Sequence, residues 1–205
     1  MREWIVRFCV YLIGLIILSF SISLTIKAGL GAGAWDALNV GLSKTIGLTV
    51  GVWVFIIGFF LILLNAWLMR MKPMFFAVFT IVLLGSFIDF WLLQVFHDWK
   101  PEEFVVRIGV FLFAILFLGF GVAVYLQADF PINPIDNLMV AISERFGVTF
   151  MTAKTIGEIS ALILAFIFGG PVGIGTVVIT FLIGPIIHLF EPKVKPVIHR
   201  LRFAN

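Results

Sequence analysis

Glu158 lies near the middle of a long apolar stretch, where a carboxylate is costly to place in a bilayer. A charged side chain at the centre of a membrane-spanning helix costs on the order of 3 kcal/mol by insertion scales. Glu158 is therefore expected to face the interior of a helix bundle or a wet cavity. Lys154 precedes it by four residues, on the same helix face. The pair indicates a proton or cation site, or a counter-charge for a substrate; the alternative is an internal ion pair that locks two helices together.

Asp36 and Asp136 form a second pair of carboxylates, separated by 100 residues. Each would present its carboxylate at the mouth of a pathway, on opposite membrane faces. The alternative is a capping role, because Asn133 is a plausible N-cap and Pro134 suits the first position of a helix. A carboxylate in the first turn stabilises a helix by about 0.3–1 kcal/mol. Both roles are compatible, since helix N-termini inside membranes also bind anions.

Further candidate binding residues recur at the same spacing or end an apolar stretch. Ser43 recurs as Ser143. Asp89 and His188 stand near the ends of two long apolar stretches, and His188 either titrates near neutral pH or reaches out to the membrane interface. Other intramembrane polar groups are expected to hydrogen-bond neighbouring helices; they are Asn65, Thr155, Thr176 and Thr180.

The elements that must position these residues are membrane helices. The chain is 62% hydrophobic and only 12% charged, against about 25% charged residues in a soluble domain. Hydrocarbon requires every backbone polar group to be paired internally, so the apolar stretches must be helices. Six of them are long enough for the roughly 20 residues that a span needs: Arg7–Ala28, Val50–Met69, Met74–Val95, Phe104–Gln127, Phe150–Gly169 and Val172–Phe190.

A shorter amphipathic helix is predicted after the first span of each half. It covers Trp35–Ile46, within the segment Gly31–Thr49, and it recurs within Pro131–Thr149. Twelve residues reach only about 18 Å, so each short helix is either re-entrant or flat at the interface. Each short helix has one apolar stripe. The stripe of the first consists of Trp35, Leu38, Leu42 and Ile46, and that of the second consists of Ile135, Leu138, Ile142 and Phe146.

Small and hydroxyl residues are predicted to shape the turns. Gly47 and Gly147 end the short helices, and Thr49 and Thr149 cap the spans that follow. Gly173 and Gly175 are expected to allow close helix approach.

Residues that recur 100 positions apart, such as Asp36 and Asp136, predict two repeats, 7–95 and 104–190. Both belong to one membrane domain, 1–205, which ends in a basic cytoplasmic tail, 191–205. Ten of the 14 basic residues fall on the side of the N-terminus, so both termini are expected in the cytoplasm. With three spans each, the repeats have inverted orientations, as in secondary transporters. An eight-span alternative fits the charges equally and is rejected on helix length.

Two motifs resemble the YczE/YitT-type family of bacterial inner-membrane proteins. They are Gly31-Ala-Gly-Ala-Trp-Asp36 with Gly41-Leu-Ser43, and Gly173-Ile-Gly-Thr176 followed by Gly184-Pro-Ile-Ile-His-Leu-Phe190. The resemblance implies a duplicated multi-pass fold in the cytoplasmic membrane and no settled activity. Members often carry Asp where this chain has His188, and Pro where it has Ala34.

Three functions remain open on sequence alone. The first is a small-solute secondary transporter or permease, acting on a small molecule or an ion. The second is the substrate-binding subunit of a multi-component uptake system, and the third is a non-transporting membrane factor that regulates or stabilises a partner. The motifs of a P-loop, a zinc site, a haem site and a nucleophile elbow are missing, so no enzyme, cofactor or metal is expected. The lipid bilayer is the expected partner, and nucleic acid is not expected to bind. Assembly into a homo-oligomer is left open.

Overall fold

The computed structural model describes residues 2–130 and 133–203, and within them it is helical throughout, without a strand. Pro131, which opens the predicted second copy, and Ala204 and Asn205, which end the predicted tail, lie outside the described residues. Eight α-helices follow one another, and α4 continues into a π-helical segment, Phe90–Val95. The α-helices are α1 (Arg2–Ala28), α2 (Ala34–Ile46), α3 (Val50–Met69), α4 (Phe76–Asp89), α5 (Phe104–Leu126), α6 (Pro134–Phe146), α7 (Phe150–Ile167) and α8 (Ile174–Phe203).

Within the described residues, six helices are long and apolar enough to cross a membrane, in agreement with the sequence. They are α1, α3, α4 with its π-helical end, α5, α7 and α8. The two short helices are also confirmed, each with 13 residues. The protein is therefore an all-helical, multi-pass membrane protein.

The last helix differs from the expected span, which ended at Phe190. It continues to Phe203, through Pro192 and Pro196, so described residues of the predicted tail are helical. Val194 and Ile198, one turn apart, are buried and give this extension an apolar stripe. Arg202 then forms ion pairs with Asp129 at 2.7 Å and Glu3 at 3.1 Å.

Contacts divide the chain into two compact units that each take helices from both predicted halves. The first unit comprises 2–33, 90–130 and 173–203. In it, α1 packs against α5, and both contact α8. A Cβ atom on Gly14 would lie 2.7 Å from Tyr125 Cα, so glycine allows the α1 and α5 backbones to touch.

Helices α1 and α5 run antiparallel, and an arginine of each helix donates hydrogen bonds to the C-terminal end of the other. Arg7, near the start of α1, donates from Nε to Ala128 O at 2.9 Å and from a second nitrogen to Asp129 O. Arg107, near the start of α5, donates in the same way to Ala28 O at 2.8 Å and to Gly29 O. Each arginine therefore satisfies carbonyl groups at the end of the other helix, where a helix leaves them unpaired.

The predicted small-residue contact at the start of α8 is confirmed in this first unit. Gly175 N donates to Leu30 O at 2.8 Å. A Cβ on Gly173 would stand 2.5 Å from the same carbonyl oxygen, and one on Gly175 would stand 2.7 Å from Gly31 O. Both positions therefore require glycine.

The second unit comprises Ala34–Asp89 and 133–172. Helix α2 packs on α7 and α3, α6 packs on the same two helices, and α4 packs on α3. Its apolar core gathers residues from α3, α6 and α7, with Trp35 of α2 packed against them. The buried members of this core are Leu61, Leu68, Leu138, Met139, Ala141, Ile142 and Ala153.

The two short helices bury their middle residues and expose their C-terminal ends. In α2 every residue from Ala37 to Leu42 is buried, including the polar Asn39, whereas Ile46 at the end of the apolar stripe is exposed. Phe146 is likewise exposed at the end of α6.

Candidate functional site

Four ionisable side chains gather in the second unit, near the beginnings of its two short helices. Asp36 lies in the first turn of α2 and Asp136 in the first turn of α6. Lys154 and Glu158 lie one turn apart on α7, the helix against which both short helices pack. Asp36 is within electrostatic range of Glu158, and Asp136 is within range of Lys154. We call these four residues the charge cluster.

Local sequence fixes where α6 begins. Asn133 accepts a hydrogen bond from Ile135 N at 3.2 Å, which confirms it as the N-cap, and Pro134 occupies the first helical position, where no amide donor is needed. Asp136 is thereby placed in the first turn, facing the positive end of the helix dipole. Asn133 therefore has a structural role at the cluster's edge.

The two aspartates of the cluster lie outside the six spans, and burial changes their proton affinity. Burial, with the nearby Glu158 as the second cause, raises the pKa of Asp36 to about 7. Burial raises the pKa of Asp136 to about 6, although Lys154 opposes the change. Both carboxyl groups therefore exchange protons close to neutral pH.

Four partly buried charges without close partners distinguish this cluster from an ordinary ion pair. Among the described residues, no salt bridge within 4.0 Å joins Lys154 to Glu158 or to either aspartate. Three carboxylates face one ammonium group, so the fully ionised cluster has a net charge of −3 + 1 = −2. An excess of acid in a low-dielectric bundle attracts protons or other cations.

Trp35 and Asn39 were not among the predicted site residues, and both lie on α2, the helix that carries Asp36. Trp35 Nε1 and Asn39 Oδ1 are buried and have no hydrogen-bond partner in the described part of the chain. A buried polar atom left unpaired costs roughly 1–3 kcal/mol. Asn39 is a lone amide that the repeat replaces with Met139, and that replacement is the signal in the sequence that could have identified it.

Ser43 and Ser143 do not join the cluster. Ser43 Oγ donates to Leu48 O at 2.8 Å, and Ser143 Oγ donates to Val148 O at 2.7 Å. Each bond closes the turn between a short helix and the next span. The glycines of both turns, Gly47 and Gly147, have φ of +99° and +66°, as predicted for helix stops.

The predicted threonine caps are confirmed in both turns. Thr49 Oγ1 accepts from Val52 N, and Thr149 Oγ1 accepts from Thr152 N, each at 3.2 Å. Thr49 thereby sets the first residue of α3, and Thr149 sets the first residue of α7. The Thr149 cap therefore fixes how far Glu158 lies from the start of its helix.

Asp89 has hydrogen-bond partners outside the charge cluster, and His188 belongs to the first unit. Asp89 Oδ1 accepts from Gly51 N at 2.7 Å, and Thr49 Oγ1 donates to the other carboxylate oxygen. Asp89 therefore caps the start of α3. The His188 side chain is 83% exposed, with Nδ1 3.8 Å from Glu191 Oε2.

The residue 100 positions before Glu158 is Gly58, on α3. It is closely packed, because a Cβ on Gly58 would stand 2.7 Å from Ile81 Cγ2. Gly58 thus lets α4 approach α3.

A separate small cavity, about 40 Å³, lies beside the start of α6 and has room for a water molecule. Asn65 lines it and donates from Nδ2 to Pro134 O at 2.9 Å, while its buried Oδ1 has no partner among the described residues. Asn65 therefore links α3 to α6, as expected of an intramembrane amide. No group of three or more His, Cys, Asp or Glu side chains suited to a metal occurs in 2–130 or 133–203.

A family model described as a family of unknown function, DUF6198, matches residues 5–192. That range includes all four members of the charge cluster and both short helices. The chain belongs to the DUF6198 family. The resemblance seen in the two sequence motifs is thereby confirmed.

Curated relatives of this DUF6198 chain extend the same finding over most of its length. "Uncharacterized protein YyaS" of Bacillus subtilis (strain 168) is 40% identical over 189 residues, covering 92% of this chain and 94% of the relative. "Uncharacterized membrane protein YczE" of the same organism is 35% identical over 195 residues, covering 94% and 88%. An "Uncharacterized protein" of Haemophilus influenzae (strain ATCC 51907 / DSM 11121 / KW20 / Rd) is 29% identical over 182 residues, covering 88% and 81%. No solved structure matches the chain.

Proposed function

We propose that this DUF6198 protein is a small-solute permease of the cytoplasmic membrane, in which the charge cluster binds the transported solute or ion. The observation that carries the proposal is the meeting of Asp36, Asp136, Lys154 and Glu158 in one unit. Two of these residues begin helices too short to span, and two lie on a spanning helix. Ionisable groups within a membrane bundle mark ion and substrate pathways by default.

The proposed architecture is a pair of inverted three-helix repeats, 7–95 and 104–190, with both termini in the cytoplasm. The antiparallel arrangement of α1 and α5 supports it, because these are the first helices of the two repeats. The equivalent arginines, Arg7 and Arg107, make equivalent hydrogen bonds. Transporters built from such repeats bind substrate near the midplane, where interrupted helices end.

The cluster supports binding and proton exchange, and we propose no catalysis. Asp36 and Asp136 exchange protons near neutral pH, and Glu158 lies within electrostatic range of Asp136 and Lys154. A solute cation that enters would displace protons from these carboxyl groups, since like charges compete for one acidic site. Transport would then be coupled to proton movement.

Glu158→Gln in reconstituted vesicles tests the permease. Vesicles containing a pH-sensitive dye are given, one at a time, sodium, potassium, methylammonium, ethanolamine, alanine and formate, and proton and solute fluxes are recorded. The wild-type protein is expected to carry at least one of these solutes, and Glu158→Gln is expected to lower that flux at least tenfold. Glu102→Gln, at an exposed position outside the cluster, is the matched control and should retain the flux.

An isosteric amide removes the charge and keeps the volume, so the variant is expected to fold. Its thermal unfolding is compared with that of the wild type. If every flux and its pH dependence survive in Glu158→Gln, the permease mechanism is wrong. A changed melting temperature with unchanged flux would favour a stabilising membrane factor instead.

A further inference from the structure

Two unpaired atoms on α2 carry an inference about the substrate, which rests on the proposed permease function. Trp35 Nε1 is a donor and Asn39 Oδ1 is an acceptor, and both are buried without a partner in the residues that the structure describes. Asn39 is only 3% exposed. The two residues are four apart, so their side chains leave α2 on one face, with Cβ atoms about 5–6 Å apart. Buried polar atoms in folded proteins nearly all have hydrogen-bond partners. An unpaired donor and an unpaired acceptor side by side therefore indicate a bound molecule that supplies both partners.

The unpaired couple shares α2 with Asp36, and Trp35 approaches α7 next to Glu158. The Trp35 ring lies against α7, since its Cζ2 atom is 4.0 Å from the place of a Cβ on Gly157, the neighbour of Glu158. Cζ2 is bonded to the carbon that carries Nε1, so the indole N–H lies two bonds from this point of approach to α7. Around the α2 axis, Asn39 lies between Trp35 and Asp36.

Helix α6 lacks this combination of groups, although it matches α2 in sequence. It has Ile135 where α2 has Trp35, and Met139 where α2 has Asn39. Glu158 likewise corresponds to Gly58, which packs against Ile81. Within the described residues, the recognition groups therefore occur on α2 and not at the matching positions of α6.

We propose that this site binds a small primary ammonium solute that also carries a hydroxyl or carbonyl oxygen about two carbons from the nitrogen. The ammonium group would donate to Asn39 Oδ1 and to the carboxylates of Asp36 and Glu158, in charge-assisted hydrogen bonds. The oxygen would accept from Trp35 Nε1. The spacing of one helical turn between Trp35 and Asn39 fits a two-carbon separation. Lys154, the cation of the cluster, lies one turn before Glu158 on α7. It neutralises only one of the three carboxylates, so the cluster keeps a net negative charge.

Calorimetric titration of the detergent-purified full-length protein at pH 8 tests the assignment with three probes of similar size. Ethanolamine has both groups, ethylammonium lacks the oxygen, and ethylene glycol lacks the charge. Ethanolamine is expected to bind about tenfold more tightly than ethylammonium, because one hydrogen bond typically accounts for about that factor. Ethylene glycol should show no heat of binding.

Two substitutions separate the roles of the α2 groups. Trp35→Phe should weaken ethanolamine binding about tenfold and leave ethylammonium binding unchanged. Asn39→Leu should weaken both amines about tenfold or more. Trp67→Phe, at a tryptophan of α3 that is 74% exposed, is the matched control and should change neither affinity. Thermal unfolding of each variant confirms that it folds.

Equal affinities for ethanolamine and ethylammonium, or no binding of either amine by the wild-type protein, would overturn the assignment. The permease and its substrate class can fail separately. A Glu158-dependent flux of another solute without amine binding would retain the permease and discard this substrate class. Ethanolamine binding without flux would retain the site and discard transport.

Discussion

Asp89 shows how a single carboxylate in this protein can organise the beginning of another helix. Both of its oxygen atoms accept hydrogen bonds from the start of α3, one from Gly51 N and one from the Thr49 hydroxyl. The α3 amide groups at this end have no partner within the helix. Asp89 thus ties the end of α4 to the start of α3.

Asp89→Ala is expected to destabilise the protein by about 1–3 kcal/mol, because it leaves buried donors unpaired. Asp89→Asn should cost less, since it keeps an acceptor for Gly51 N. Thermal unfolding in detergent measures both. Asp98→Ala, at a side chain that is 96% exposed, is the control and should not change the melting temperature. A loss of flux per folded molecule in Asp89→Ala would contradict its purely structural role.

The residues of the charge cluster could be predicted from sequence, whereas their distinction from capping residues could not. Glu158 stands out because a charge in an apolar stretch is rare. Ser43 and Asp89 are polar residues in equally apolar surroundings, yet Ser43 bonds a backbone carbonyl and Asp89 bonds a backbone amide and the Thr49 hydroxyl. The difference depends on what lies opposite each side chain after packing, which composition and spacing do not specify. Trp35 was assigned to an apolar stripe for the same reason.

Helices α3 and α4 approach each other most closely where two glycines meet. A Cβ on Gly51 would collide with Gly85 O, and a Cβ on Gly85 would collide with Gly51 O. In a bilayer, van der Waals contact between helices replaces the hydrophobic driving force, so close approach is needed for association. This contact holds Asp89 within reach of Gly51.

Gly51→Ala should therefore destabilise the protein by about 1–3 kcal/mol through forced separation of α3 and α4. The melting temperature and the yield of monodisperse protein are the measurements. Gly109→Ala is the matched control, since a Cβ at this helical glycine would meet no atom within 4 Å. Replacement of an exposed helical glycine by alanine normally stabilises by up to about 1 kcal/mol. Equal behaviour of the two variants would show that the α3–α4 contact is not tight.

Helix boundaries followed from sequence wherever a cap or a glycine marks them. Thr49 and Thr149 fixed the starts of α3 and α7, and Gly47 and Gly147 fixed the ends of the short helices. The end of α8 was missed because prolines and charges after Phe190 resemble a tail. Its helical continuation depends on Val194 and Ile198 being buried, and that follows only from tertiary contacts.

At the scale of the whole molecule, the proposed inverted repeat predicts the side of the membrane on which each connection between spans lies. C-terminal truncations after Met71, Lys100, Gly170 and Phe203 are fused to alkaline phosphatase, which is active outside, and to green fluorescent protein, which fluoresces inside. We expect Met71 and Phe203 inside, and Lys100 and Gly170 outside, since three spans separate the equivalent joints.

Met71 and Gly170 are the deciding pair, because they follow equivalent spans of the two repeats. If both fusions report the same side of the membrane, the repeats are parallel and the architecture proposed here is wrong. The Lys100 fusion serves as an internal control, since one further span must reverse its side relative to Met71.

The number of spans was within reach of the sequence, but the grouping of the helices was not. Matching residues predicted two consecutive halves, whereas packing places α1 with α5 and α2 with α7. Sequence similarity records common ancestry of segments and says nothing about which copies exchange partners. The buried contacts between glycine and backbone atoms decide the grouping.

The exchange of Arg7 and Arg107 has a consequence for biosynthesis. When α1 leaves the ribosome, the carbonyls of Ala28 and Gly29 have no arginine to bind, because Arg107 has not yet been made. The C-terminal end of α1 therefore keeps unpaired carbonyl groups until α5 is made. Arg107 then donates to the end of α1, and Arg7 donates to the end of α5. The C-terminal ends of α1 and α5 are therefore completed only when both helices have been made.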